Sequence, residues 1–122
     1  MKKIRTAINN PAQQITRGSG NVFVDLGFTP AQAADLQVKA ELTRQIHHRI
    51  EALGMTQIQA ARRLGISQPD VSKLMNARFT GFSTDRLISL LSALEVDIDI
   101  VVSPRRNKTD HTPGVIRVRA VA

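Results

Sequence analysis

The stretch from Thr56 to Met75, TQIQAARRLGISQPDVSKLM, constrains this chain more than any other, because it specifies two short helices and the corner between them in consecutive residues. Thr56 and Gln59 fit a capping box, in which the N-cap hydroxyl and the N3 side chain each satisfy a backbone N–H at the helix start. Gly65 supplies the backbone freedom that the corner requires. Ser67 and Asp70 repeat the arrangement one corner later. Pro69, at N2 of this second helix, has no N–H to offer, so the Ser67 oxygen must accept from Asp70. Leu64, Ile66, Val71 and Leu74 fall on the inward side of the pair, and Ala61 is small where the helices approach. The residues left outward on the second helix are Gln68, Pro69, Ser72, Lys73 and Asn76. A helix fits the major groove of double-stranded DNA, and nearly all of these side chains can bond a base edge or a phosphate.

The flanks supply a core for the pair. Leu42, Ile46, Ile50 and Leu53 recur at steps of four, four and three, which predicts a long amphipathic helix from about Ala31 or Asp35 to Leu53, ended by Gly54. After the glycine corner NARFTG, the residues Phe82, Ser83 and Leu87 match a hydrophobic staple. Leu87, Leu90, Leu91 and Leu94 then form the stripe of a further helix. Trp and Tyr are absent and only four Phe are present, so the core must be aliphatic. Upstream, Val22, Phe23, Val24, Leu26 and Phe28 make a short apolar segment that needs a surface, interrupted by Thr29 and Pro30. Downstream the period changes to two: Val96, Ile98, Ile100 and Val102 share one face and Asp97 and Asp99 the other, as a half-buried strand requires. A second alternating run, VIRVRAV, carries Arg117 and Arg119 on one face, and antiparallel pairing sets them against Asp97 and Asp99. The fold expected is mainly α, with a short C-terminal β-strand or hairpin.

At 122 residues the chain suits one domain with tails. The expected organisation is a flexible basic arm over 1–20, a folded domain over 21–102 with its terminal strand, and a basic linker with a second strand over 103–122. The formal charge of +7 is unevenly placed: each end carries an excess of four positive charges, and the middle is close to neutral. Charge is therefore only a weak pointer to nucleic acid, although Arg105, Arg106 and Lys108 are placed to reach flanking phosphates.

Several chemistries find no support. Without cysteine there is no disulfide framework, no thiolate nucleophile and no cysteine zinc site. His47 and His48 are adjacent and point about 100° apart on a helix, so they do not share a metal in the i, i+4 manner. No G-x-S-x-G elbow, paired carboxylates or phosphate-binding glycine loop is present, so neither an enzyme nor a cofactor is expected. No apolar leader follows Met1, Lys2 and Lys3, and no run approaches the roughly 18 apolar residues of a membrane span. A cytoplasmic protein without membrane attachment is the expectation.

The residues TQIQAARRLGISQPDVSKL resemble the helix-turn-helix of the phage-repressor (Cro/XRE) class: Thr-Gln opens the first motif helix, Ala61 and Gly65 follow, and Ser-Gln opens the recognition helix. The longer stretch GISQPDVSKLMNARFTGFSTDRLISLLSALEVDIDIVV resembles HigA-like antitoxins of type II toxin–antitoxin systems, the likeness extending from Asn21 to Val102. The resemblance implies a five-helix DNA-binding domain running into a strand. By position it implies a phosphate contact for Gln57 and base-edge contacts from Gln68, Pro69 and Lys73, with Ser72, Asn76 and Arg78 close to the backbone and Ser67 in the same DNA-facing set. Proline at the second reading position leaves only apolar contact there. The partners implied are operator DNA, a second copy in a homodimer, and a small RelE/HigB-like ribonuclease toxin. A stand-alone phage-type or host regulator is the alternative, and a protein-interaction module built on the same core is a third reading.

Overall fold

A computed structural model describes residues 22–105, 109, 111 and 113–121. The expected basic arm, 1–20, lies outside the described residues, as do Arg106 and Lys108. The helices are α1 (Val22–Asp25), α2 (Pro30–Ala52), α3 (Gln57–Leu64), α4 (Gln68–Met75) and α5 (Thr84–Ser92). The chain divides into two units, with the boundary between Ala33 and Ala34.

In the first unit, the apolar segment that the sequence left without a form is the single turn α1. It closes through the Leu26 N–H on the Val22 carbonyl at 3.0 Å, and the Phe23 and Phe28 rings meet edge to face at 6.2 Å. Thr29 and Pro30, read above as an interruption, are instead the start of α2. The Thr29 hydroxyl accepts from the Gln32 N–H at 3.2 Å, and the Gln32 side chain accepts from the Thr29 N–H at 3.1 Å. This is a capping box with proline at N1, where a missing N–H costs nothing.

In the second unit, α2 presents Val38, Leu42, Ile46 and Ile50 as one buried face. Gly54, at φ +65°, ends the helix: its own N–H reaches the Glu51 carbonyl, and the Met55 N–H reaches that of Ile50 at 3.1 Å. Helix α3 packs against α4, and α5 returns Leu87, Leu90, Leu91 and Leu94 to the same core. Phe82 and Leu87 are both buried on either side of the Ser83 cap, as the staple predicts. Each fully buried aliphatic side chain contributes about 1.5–3 kcal/mol, so this aliphatic core suffices without tryptophan or tyrosine. Ala60, fully buried, is the smallest residue of the core, and Ala61 packs against it half-buried. Thr43 is the buried polar exception, and its hydroxyl has no hydrogen-bond partner among the described residues.

The expected C-terminal strand is not formed: among the described residues no strand is present, and residues 96–102 and 115–121 are neither helix nor strand. The alternation does appear in part as packing, since Val96 and Val118 are half-buried against the core. A ladder needs a neighbour for every second N–H and C=O, and within one chain neither run meets one.

Candidate nucleic-acid interface

The Thr56 cap fixes the first residue of α3. Its hydroxyl accepts from the Gln59 N–H at 3.2 Å while the Gln59 side chain accepts from the Thr56 N–H at 2.9 Å, so Gln57 stands half-buried in the first turn. Gly65, at φ +69°, reverses the chain, and the Ile66 N–H closes on the Ala61 carbonyl at 3.1 Å. A side chain at Gly65 would meet no atom within 4 Å, so the glycine is required by the left-handed backbone alone. Ser67 then caps α4, its Oγ accepting from the Asp70 N–H at 3.2 Å as the proline at N2 demands. Only Ile66 separates the end of one helix from the cap of the next, so local hydrogen bonds set the angle at which α4 leaves α3.

Val71 and Leu74 anchor α4 in the core and are fully buried. That commitment turns Gln68, Pro69 and Lys73 outward, all exposed, with Ser72 half-buried beside them and Asn76 exposed at the end. The residues expected from the sequence to face DNA therefore share one surface of α4. Asn76 does more than was expected of it. It is the C-cap of α4, and its side-chain amide donates to the Ser72 carbonyl at 2.8 Å and lies 3.5 Å from the Ser72 Oγ, which ties both polar side chains to their own helix. Arg78 follows the cap, its N–H on the Lys73 carbonyl at 2.7 Å and its side chain exposed. The left-handed residue of this turn is Ala77, at φ +58°, rather than Gly81.

Asp70 gives the surface its charge pattern. Its carboxylate lies 3.7 Å from the Lys73 ammonium and 3.7 Å from the guanidinium of Arg86 on α5, and the Arg86 guanidinium in turn sits 4.9 Å over the Phe82 ring. Both ion pairs are long and substantially exposed, and such pairs contribute little to stability, so both cations can turn to a phosphate. Arg86 was missed by sequence reasoning. Its position at N3 of a capped helix is readable, but its closeness to Asp70 is tertiary. Arg63 was read as a solvated or phosphate-facing residue and has a structural task instead: its guanidinium bonds Glu95 at 2.6 Å and the Ala93 carbonyl at 3.2 Å. His47 pairs with Glu51 at 3.1 Å, and no cluster of metal-ligating side chains exists among the described residues. No helix among them is long and apolar enough to cross a membrane.

The family described as a helix-turn-helix domain matches residues 22–103. A solved structure of a protein named as an XRE family transcriptional regulator is similar, with a TM-score of 0.68 and 37% identity, over 74% of this chain and 99% of that one. No curated protein matches the chain.

Proposed function

The chain belongs to the XRE-type helix-turn-helix family of DNA-binding transcriptional regulators, and we propose that it is a sequence-specific repressor that reads its operator with α4. The outward surface of α4 carries this reading. Gln68 and Lys73 offer donors to base edges, Pro69 offers apolar contact, and Gln57, Ser67, Ser72 and Arg78 surround them with groups suited to phosphate. The fold positions these residues without spending any of the buried ones. Replacement of Gln68 or Lys73 by Ala is expected to weaken operator binding by about 1–3 kcal/mol with the fold intact, and Gln57→Ala to weaken specific and non-specific DNA alike. Wild-type operator affinity in both α4 variants removes the assignment.

Within this role we propose that the protein acts in the cytoplasm as a homodimer and as the antitoxin of a type II pair, neutralising a RelE/HigB-like toxin and repressing its own operon. The likeness of residues 65–102 to HigA-like antitoxins supports this. So do Val22, Leu26 and Phe28, exposed apolar side chains around α1 that suit a protein partner. Deletion of residues 1–20 is expected to spare operator binding and impair toxin neutralisation, read by gel shift and by rescue of toxin-arrested cells. The solved neighbour's name favours a second reading, a stand-alone regulator. A neighbouring reading frame for a small basic ribonuclease distinguishes the first reading from the second.

A further inference from the structure

The two C-terminal runs are extended, apolar and exposed. Ile100, Val101 and Val102 are 79, 85 and 90% exposed, and Val115, Ile116 and Val121 are 67, 73 and 87% exposed. None of the residues in 96–102 or 115–121 takes part in a backbone hydrogen bond among the described residues, and Asp97, Asp99, Arg117 and Arg119 have no ion-pair partner among them. Aliphatic side chains and unsatisfied backbone of this kind form an open edge that tends to recruit another strand.

The parity of the two runs is set by one core contact in each. Val96 packs on the core, so Ile98 and Ile100 share its side and Asp97, Asp99 and Val101 face away. Val118 packs on the same core, so Ile116 and Ala120 share its side while Val115, Arg117, Arg119 and Val121 face away. A single antiparallel register satisfies both patterns: Asp97 opposite Arg119 and Asp99 opposite Arg117 on the outer face, Ile98 opposite Val118 and Ile100 opposite Ile116 on the inner one. Opposite charges and aliphatic pairs directly across a ladder are each favourable. The runs of one chain do not meet in this way, although the Arg105 guanidinium holds the Pro113 carbonyl at 2.8 Å and folds the linker between them.

We propose that residues 96–102 of one copy pair in this register with residues 115–121 of a second copy, and reciprocally, so that the two-fold partner completes both strands. A two-fold interface repeats every contact, so the four charged residues supply two identical sets of cross-chain pairs. This rests on the homodimer proposed above and locates its interface.

The test uses full-length chains without DNA, followed by equilibrium sedimentation at tens of micromolar, with far-UV circular dichroism to confirm the helical core. Wild type is expected to be dimeric. The variants Asp97→Arg/Asp99→Arg and Arg117→Glu/Arg119→Glu are each expected to be monomeric, and an equal mixture of the two is expected to recover dimer mass. Dimers from both variants alone, or a mixture that stays monomeric, overturn the pairing. Monomeric wild type overturns it together with the homodimer, while operator binding by gel shift reports on the DNA-reading role separately. Because the native chain has no cysteine, a second measurement is independent of the charge variants: chains carrying Asp99→Cys alone and Arg117→Cys alone are mixed and oxidised. A disulfide-linked heterodimer is expected in preference to either homodimer. Its absence overturns the register.

Discussion

Arg63 on α3 and Glu95 beyond α5 are joined at 2.6 Å, and the same guanidinium takes the Ala93 carbonyl at 3.2 Å. From α2, Arg49 adds a bond to the Leu94 carbonyl at 3.2 Å. Two cations thus sit at the carboxyl end of α5, where unpaired carbonyls and the helix dipole favour positive charge. Glu95 adopts φ +67° at this junction. Arg63→Ala is expected to lower the thermal midpoint, and Arg62→Ala, one position along the same helix, to leave it unchanged. Equal midpoints for the two variants refute the role given to Arg63.

The bond to Arg63 holds the Glu95 carboxyl below its ordinary value of 4.5. A carboxylate with a depressed folded value contributes stability that is complete above the unfolded value and is lost as pH falls through the folded one. The difference in stability between wild type and Glu95→Gln is therefore expected to be constant near neutral pH and to shrink below about 4.5. A difference that grows on acidification contradicts this sign.

The Thr43 hydroxyl is buried without a partner. An unpaired buried hydroxyl costs about 1–3 kcal/mol, so Thr43→Val is expected to raise the free energy of unfolding by roughly 1 kcal/mol in urea titrations. Loss of stability on this substitution means the hydroxyl is satisfied in solution.

Left-handed backbone at Gly65 and Ala77 makes opposite demands. Gly65→Ala places a side chain in open space at φ +69° and is expected to cost about 1–2 kcal/mol. Ala77→Gly relieves the same strain at φ +58° and is expected to gain about 0.5–1 kcal/mol. Chemical denaturation of both variants checks the pair of signs.

Asp70 holds Lys73 and Arg86 on the proposed reading surface. Asp70→Asn frees both cations and removes a charge that repels phosphate. Non-specific DNA affinity is expected to rise, and the salt dependence to steepen by about one unit for each added phosphate contact. An unchanged slope shows that neither cation reaches the backbone.

How much of this was legible in the sequence follows from the range of each interaction. The caps at Thr56, Ser67 and Ser83 and the turns at Gly54 and Gly65 were readable because each is complete within a few residues. The start of α2 uses the same signals in Thr29, Pro30 and Gln32, and it was misread because Pro30 was treated as a breaker instead of an N1 residue. The α4 surface followed from the inward placement of Val71 and Leu74. Arg63 with Glu95, and Arg86 with Asp70, were not readable, since nothing local distinguishes a paired surface arginine from a solvated one. The C-terminal strand failed as an element of the single chain for a related reason: alternation specifies which face is apolar, and hydrogen bonding needs a second strand.

The corner between α3 and α4 also bears on how such a protein diverges. Its geometry is held by Ala61, Gly65, Ser67 and Asp70, whereas Gln68, Pro69 and Lys73 hold no part of it. A duplicated copy of the gene can therefore rewrite those three positions one at a time, acquiring a new binding preference while each intermediate still folds. New specificities in this lineage are reached by steps that leave the scaffold under selection untouched.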